Sequence, residues 1–139
     1  MDLRVAAYAV ITDEHDQVLL SRWIEGSKPA WTMPGGGMEP GEHPEQTCRR
    51  EVKEETGYDV AVKEILGIDS SVIPARKRFS GADDLQALRI VYRAEITGGD
   101  LAFELDGSTD MAAWIPLNRI RSTERVSLVD VALRLAGLL

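Results

Sequence analysis

The chain predicts an α/β fold: a mixed sheet with helices on its faces, forming an α/β/α sandwich. Three observations carry this. Runs rich in branched and apolar residues recur at strand length (3–12, 18–23, 60–62, 65–73, 85–96 and 112–115). Two stretches, 44–56 and 126–138, have helical composition or spacing. Their order is strands, helix, strands, helix, which calls for layered packing of helices on a sheet. The 139 residues, 44% of them hydrophobic, suit one compact domain over 1–139.

Residues 3–12 (LRVAAYAVIT) read as a strand, 13–17 as a polar turn and 18–23 (VLLSRW) as the return strand, so a hairpin is expected. Residues 24–30 form a loop, Trp31–Met33 a strand stub stopped by Pro34, and Gly35-Gly36-Gly37 a turn that permits close backbone approach. Pro44 fits the first position of a helix and Gly57 the position just past its end, which sets the helix at about 44–56. Cys48 and Val52, four apart, should face the core, with Thr47 near them. Val60–Val62 and Ile65–Ile73 are strand, ended by Pro74. Residues 75–84 form a loop carrying Arg76, Lys77 and Arg78, the most basic spot on the chain. A long strand over 85–96, an acidic loop over 100–110 and a strand over 112–115 follow. Leu128, Val131, Leu135 and Leu138 recur at helical spacing, so a final helix should pack that face on the sheet.

Sixteen basic against 23 acidic residues give a net charge of −7, with no basic stripe of the kind that grips a nucleic-acid polymer. Negative charge also repels free nucleotides, so such a ligand would need a divalent cation and local arginines to reverse the local sign. The single cysteine, Cys48, cannot form an internal disulfide and reads as a small core residue. No apolar run approaches the ~20 residues of a membrane span, and the N-terminus lacks a signal pattern, so a cytoplasmic protein is expected.

The chemistry concentrates at the end of the first helix. Glu51, Glu54 and Glu55 lie at i, i+3 and i+4 and share one face. Like charges at those spacings destabilise a helix, and they sit at its negative end. A solvated acidic face is the plain explanation. The functional one is a site for a hard divalent cation, with backbone carbonyls from Gly35–Gly37 close by. Zinc is disfavoured, because neither His15 nor His43 has a paired ligand at zinc spacing. Arg50 can reach Glu54 one turn on or Glu42 in the preceding loop, and the latter pair would tie the glycine segment to the helix. Arg22, at a strand end, and Arg76 and Arg78 are candidate phosphate contacts, weighed against solvated surface.

Gly36, Glu42 and the run Arg50-Glu51-Val52-Lys53-Glu54-Glu55-Thr56-Gly57-Tyr58 together resemble the Nudix box. The one departure is Tyr58, where the family prefers an aliphatic residue. The W-x-x-P-G-G approach at Trp31–Gly36 and Trp-Ile-Pro-Leu at 114–117 are also similar to the family. The resemblance implies a Nudix α/β/α sandwich and Mg²⁺- or Mn²⁺-dependent hydrolysis of a nucleoside diphosphate linked to another group. It implies Glu51, Glu54 and Glu55 as metal ligands, joined by a carbonyl of Gly35 or Gly36, and Arg50 and Glu42 as supporting residues. Glu51 is the first choice of general base. Asp110, Asp106 and Glu104, in the acidic loop, are the alternatives, each with a plainer reading as a turn residue.

Substrate choice lies outside the box. In the family, a proline 16 residues beyond it is associated with ADP-ribose, and Pro74 stands there. Oxidised nucleoside triphosphates remain open, and Tyr8, Trp23, Trp31 and Phe79 are candidate base-stacking residues. The rival class is a nucleotide-sensing module that keeps the fold without catalysis, which a broken carboxylate segment would signal; here the segment is whole. Isoprenoid diphosphate isomerisation ranks last, because Cys48 lies in the box helix. Family members of this size are often dimers, so a homodimer is an expectation.

Overall fold

The computed structural model describes residues 1–78, 83–103 and 107–139. Among them are seven strands and two α-helices: β1 Asp2–Val10, β2 Gln17–Trp23, β3 Ala30–Thr32, β4 Gly35–Gly37, α1 Pro44–Thr56, β5 Tyr58–Ile73, β6 Leu85–Gly99, β7 Thr109–Pro116 and α2 Ser127–Leu135. Short 3-10 turns cover Ala75–Lys77 and Leu117–Ser122.

The strands form a four-stranded mixed sheet, β4-β1-β6-β5, and a three-stranded antiparallel sheet, β3-β2-β7. β1 runs parallel to β6 from Asp2↔Leu85 to Val10↔Arg93. Side chains alternate along a strand, and β1 uses both of its faces. Ala6, Tyr8 and Val10 join one core cluster with Leu20, Met33, Val91 and the α2 residues Leu128, Val129, Ala132 and Leu133. Ala7, Ala9 and Ile11 join the other, with Leu19, Val60 and the α1 residues Cys48 and Val52. This two-sided burial explains the unbroken apolar run at 5–11.

The expected hairpin is corrected. β1 and β2 belong to different sheets, and only the closing rungs join them: Asp13 N–H donates to the Gln17 carbonyl and Leu19 N–H to that of Ile11. Both strands are too deeply buried to share one two-stranded ribbon, and each takes a central place in its own sheet. The glycine turn is also corrected: Gly35–Gly37 is an edge strand paired antiparallel with β1.

α1 starts and stops where Pro44 and Gly57 predict. His43 caps it, with Nδ1 accepting from Glu45 N–H while the Gln46 side chain accepts from His43 N–H. Gly57 closes it in the left-handed region at φ 83°, where a Cβ would lie 2.2 Å from the Asp100 carbonyl. Tyr58 packs tilted on Trp114 with ring centroids 6.2 Å apart, so it supplies the apolar packing expected at this position.

α2 is shorter than expected and buries another face: Leu128, Val129, Ala132 and Leu133 are inside. Of the expected face only Leu128 is buried, and Leu135 and Leu138 are exposed at their edges. The helix stops at Leu135 and the chain turns at Gly137 (φ 72°), so Leu138 never joins the stripe. No helix among the described residues is long and apolar enough to cross a membrane.

Candidate active site

The site is built where the C-terminal half of α1 meets β4. Gly35 is the first requirement. Its φ is 146°, and a Cβ there would lie 2.2 Å from the Ala7 carbonyl oxygen, so only glycine fits. Its N–H donates to Glu55 Oε1 at 2.8 Å, which clamps the helix end to the strand. Glu55 is buried, at 3% exposure. At Gly36, a Cβ would sit 2.7–2.9 Å from the Glu51 carboxylate, so the bare glycine backbone leaves that carboxylate its place.

Arg50 joins three segments. Its Nε donates to Glu42 Oε2 at 2.7 Å and its Nη2 to Glu42 Oε1 at 2.9 Å, a bidentate pair. Nη2 also reaches the Gly37 carbonyl at 3.2 Å, and Nη1 donates to Glu51 at 3.0 Å and to Glu54 at 3.5 Å. The expected Glu42–Arg50 tie is therefore present, and Arg50 orients Glu51 as well. Glu42 further accepts from the Glu39 N–H and the Thr47 hydroxyl, each at 2.9 Å. With Arg50 as the largest cause, its carboxyl is held down at about 2. Arg50 in turn is held firmly protonated by Glu42 and Glu51.

Glu51 and Glu55 line a cavity of about 740 Å³, while Glu54 stands outside it, 43% exposed. Among the described residues no three His, Cys, Asp or Glu side chains converge into a closed metal cage. The donor chemistry fits an open site. Mg²⁺ takes one or two carboxylates and fills its remaining positions with water and substrate phosphate; the Glu51 carboxylate lies beside the Gly36 backbone, and Arg50 Nη1 bridges it to Glu54.

The same cavity is lined by Gly35–Gly37, Tyr8, Trp23, Glu25 and four cations: Arg4, Lys77, Arg78 and Arg89. Arg78 bonds Asp2 and the Asp83 carbonyl, each at 2.6 Å, and Arg89 is held by Asp69. Of the tentative phosphate contacts, only Arg78 borders the cavity; Arg76 is exposed on the neighbouring turn. Arg22 makes a bidentate pair with Asp110 at 2.8 and 2.6 Å, and neither is among the lining residues. Asp110 is thereby corrected from a loop to β7, with its carboxyl lowered by Arg22. Asp106, Glu104 and Phe79 lie outside the described residues. Tyr8 and Trp23 line the cavity, whereas Trp31 packs against the α2-side core. Cys48 is buried among apolar groups, and burial pushes its thiol up to about 12, which fits a core role.

Sequence reasoning passed over Arg4 and Arg89. They stand on neighbouring strands, with Ala6 opposite Arg89 and Arg4 opposite Ala87. Nothing in the local sequence announces that pairing; the only signal is a charge inside each strand run.

A NUDIX domain model matches residues 2–132. The human protein named 8-oxo-dGDP phosphatase NUDT18 is 32% identical over 131 residues, 89% of this chain and 37% of that protein. The ADP-ribose pyrophosphatase of Methanocaldococcus jannaschii is 34% identical over 97 residues, 70% of this chain and 53% of that protein. The chain spans well under two thirds of the length of both. Among solved structures, a NUDIX hydrolase from Nitrosomonas europaea superposes with a TM-score of 0.82 at 28% identity, covering 98% of this chain and 89% of that one. The carboxylate helix locked under a glycine strand, the fold around it and the match across nearly its whole length agree: the chain belongs to the Nudix family.

Proposed function

We infer that this chain hydrolyses the diphosphate linkage of a nucleoside diphosphate joined to another group, with the help of Mg²⁺ or Mn²⁺. One observation carries the reading: Glu51 is held between Arg50 and the bare backbone of Gly36, at the acidic end of a cavity whose remaining charged wall is largely cationic. Glu51, Glu54 and Glu55 would hold the ion, with a carbonyl of Gly35 or Gly36. When bound, a divalent ion offsets phosphate charge and lowers the pKa of water.

The chain's own groups do the rest. Arg50, fixed by Glu42, aims Glu51 at the water, and Glu51 accepts its proton as general base. The water oxygen forms a bond to phosphorus and the P–O anhydride bond breaks, leaving two phosphate-bearing products. The cationic wall holds the substrate's anionic portion in a chain of net charge −7. Pro74, between the cavity residues Ile73 and Lys77, and the M. jannaschii relative both support ADP-ribose as a substrate. The human relative supports oxidised guanine nucleotides.

The test is a panel with Mg²⁺ containing ADP-ribose, nucleotide sugars, diadenosine polyphosphates, and ordinary and oxidised nucleoside di- and triphosphates. Wild type should hydrolyse at least one, and Glu51→Gln should lower turnover by about 1,000-fold, in the range of a lost general base, with the urea midpoint unchanged. Wild-type turnover in the Glu51→Gln protein would sink the mechanism. Tight binding of a panel member without hydrolysis would identify a sensing module instead.

A further inference from the structure

We propose that Arg4 is the phosphate-gripping residue of this cavity, determining affinity for the diphosphate of the bound nucleotide. The inference rests on the reading above only for the class of ligand.

Three observations converge on Arg4. The first is charge. Of the three arginines lining the cavity, Arg78 is engaged by Asp2 and Arg89 by Asp69, whereas Arg4 has no ion pair or hydrogen bond among the described residues. Its guanidinium is thus open to an anion, and arginine is suited to phosphate because its planar fork donates two parallel bonds.

The second is space. A Cβ at Gly37 would come 3.3 Å from Arg4 Nη2, slightly tighter than ordinary contact, and 3.4 Å from Nε, at its limit. The φ of Gly37 lies outside the left-handed range that demands glycine. Its missing side chain is explained by its neighbour: glycine leaves room for the guanidinium flat against the strand.

The third is position. Arg4 follows the same alternation as Ala6 and Tyr8, which places it on the cavity face of β1. Gly37, against which it lies, gives its carbonyl to Arg50, and the adjacent Gly36 covers Glu51. Gly36 and Gly37 are successive residues of β4, so Glu51 and Arg4 flank that edge strand on its two faces, and both line the one cavity. Lys77, which also lines the cavity and has no ion pair among the described residues, can assist.

The experiment is calorimetric titration with α,β-methylene-ADP, whose P–C–P bridge resists hydrolysis, and with adenosine, in buffer containing Mg²⁺. The proteins are wild type, Arg4→Gln, Arg4→Lys, and Arg119→Gln as a control that removes an exposed arginine outside the cavity. Arg4→Gln should weaken α,β-methylene-ADP binding by about 10-fold or more, as for a lost charge-assisted hydrogen bond, and leave adenosine binding unchanged. Arg4→Lys should keep part of the affinity, and Arg119→Gln all of it. Equal affinity in wild type and Arg4→Gln overturns the proposal, as do equal losses in Arg4→Gln and Arg119→Gln, or no binding of α,β-methylene-ADP by wild type. The outcome is separable from the hydrolysis screen: Arg4-dependent binding without turnover of any panel member leaves the inference standing and removes the hydrolase reading.

Discussion

Replacing Gly36 by alanine sets a Cβ 2.7 Å from the Glu51 carboxyl carbon and 2.8 and 2.9 Å from its oxygens. Ordinary contact begins at 3.4 Å, so the carboxylate must retreat by about 0.7 Å (3.4 minus 2.7). The obstacle is the end of a side chain, which can rotate. The fold should therefore lose about 1 kcal/mol, the low end of the overpacking range, partly offset by about 0.4–1 kcal/mol from the lower entropy of the unfolded alanine chain. Turnover is far more sensitive, because misplacing a reacting group by about 1 Å lowers a rate on the order of 100-fold. Gly36→Ala should thus melt near wild type in urea while its initial rate falls about 10- to 100-fold. Gly35→Ala is the contrast: its Cβ meets backbone, 2.2 Å from the Ala7 oxygen and 2.7 Å from the Tyr8 Cα, at a φ of +146°. It should lose about 3 kcal/mol of stability. Unchanged turnover in Gly36→Ala, or equal losses of stability in the two variants, would refute the reasoning.

Glu42 should make a measurable part of the stability pH-dependent. Its folded pKa, about 2, is depressed from 4.5, so its contribution is full above the unfolded value and is lost as pH falls through about 2. The difference in urea midpoint between wild type and Glu42→Gln should accordingly shrink between pH 4.5 and 2, and a constant difference across that window would contradict the assignment. Cys48 should react with a thiol reagent only as fast as the protein opens, given its complete burial and a thiol pushed up to about 12; rapid labelling of the native protein would be the contrary result. In a double-mutant cycle of Arg22→Ala and Asp110→Ala, the half-exposed pair should show small but non-zero favourable coupling, and zero coupling would show that its bidentate geometry is not held in solution.

The parts of the site made from neighbouring sequence were legible. Pro44, Gly57 and the carboxylate spacing sufficed to draw α1 and its acidic face, and Glu42 and Arg50 are near enough in the chain for their tie to be foreseen. What escaped is set by contacts between distant segments. Whether residues 3–12 and 18–23 form a ribbon or separate depends on β6 and β7, which claim one strand each. Arg22 looked open until Asp110 arrived from β7, and Arg4 was passed over because only its neighbours in the sheet give it a cavity to face. The buried stripe of α2 was misjudged for a related reason: the face that points inward is set by the distant β1 and β6 side chains it packs on, such as Tyr8, Val10 and Val91.

The parallel pairing of β1 with β6 has a consequence for how the protein comes into being. β1 is synthesised well before its long neighbour β6, which begins at Leu85, and until then only the three-residue β4 can pair with it. Until then Ala6, Tyr8 and Val10 lack Val91 and the α2 residues on one side, and Ala7 and Ala9 lack Tyr92 on the other. A nascent chain that has finished the whole acidic helix still has an open apolar strand at its start. Contacts of such sequence separation close late and slowly, which exposes the emerging chain to aggregation. The wall that carries Arg4 and Arg89 is therefore among the last parts to form, and an unfinished or truncated chain holds the carboxylates of α1 without the cationic wall of the cavity that Glu51 and Glu55 line.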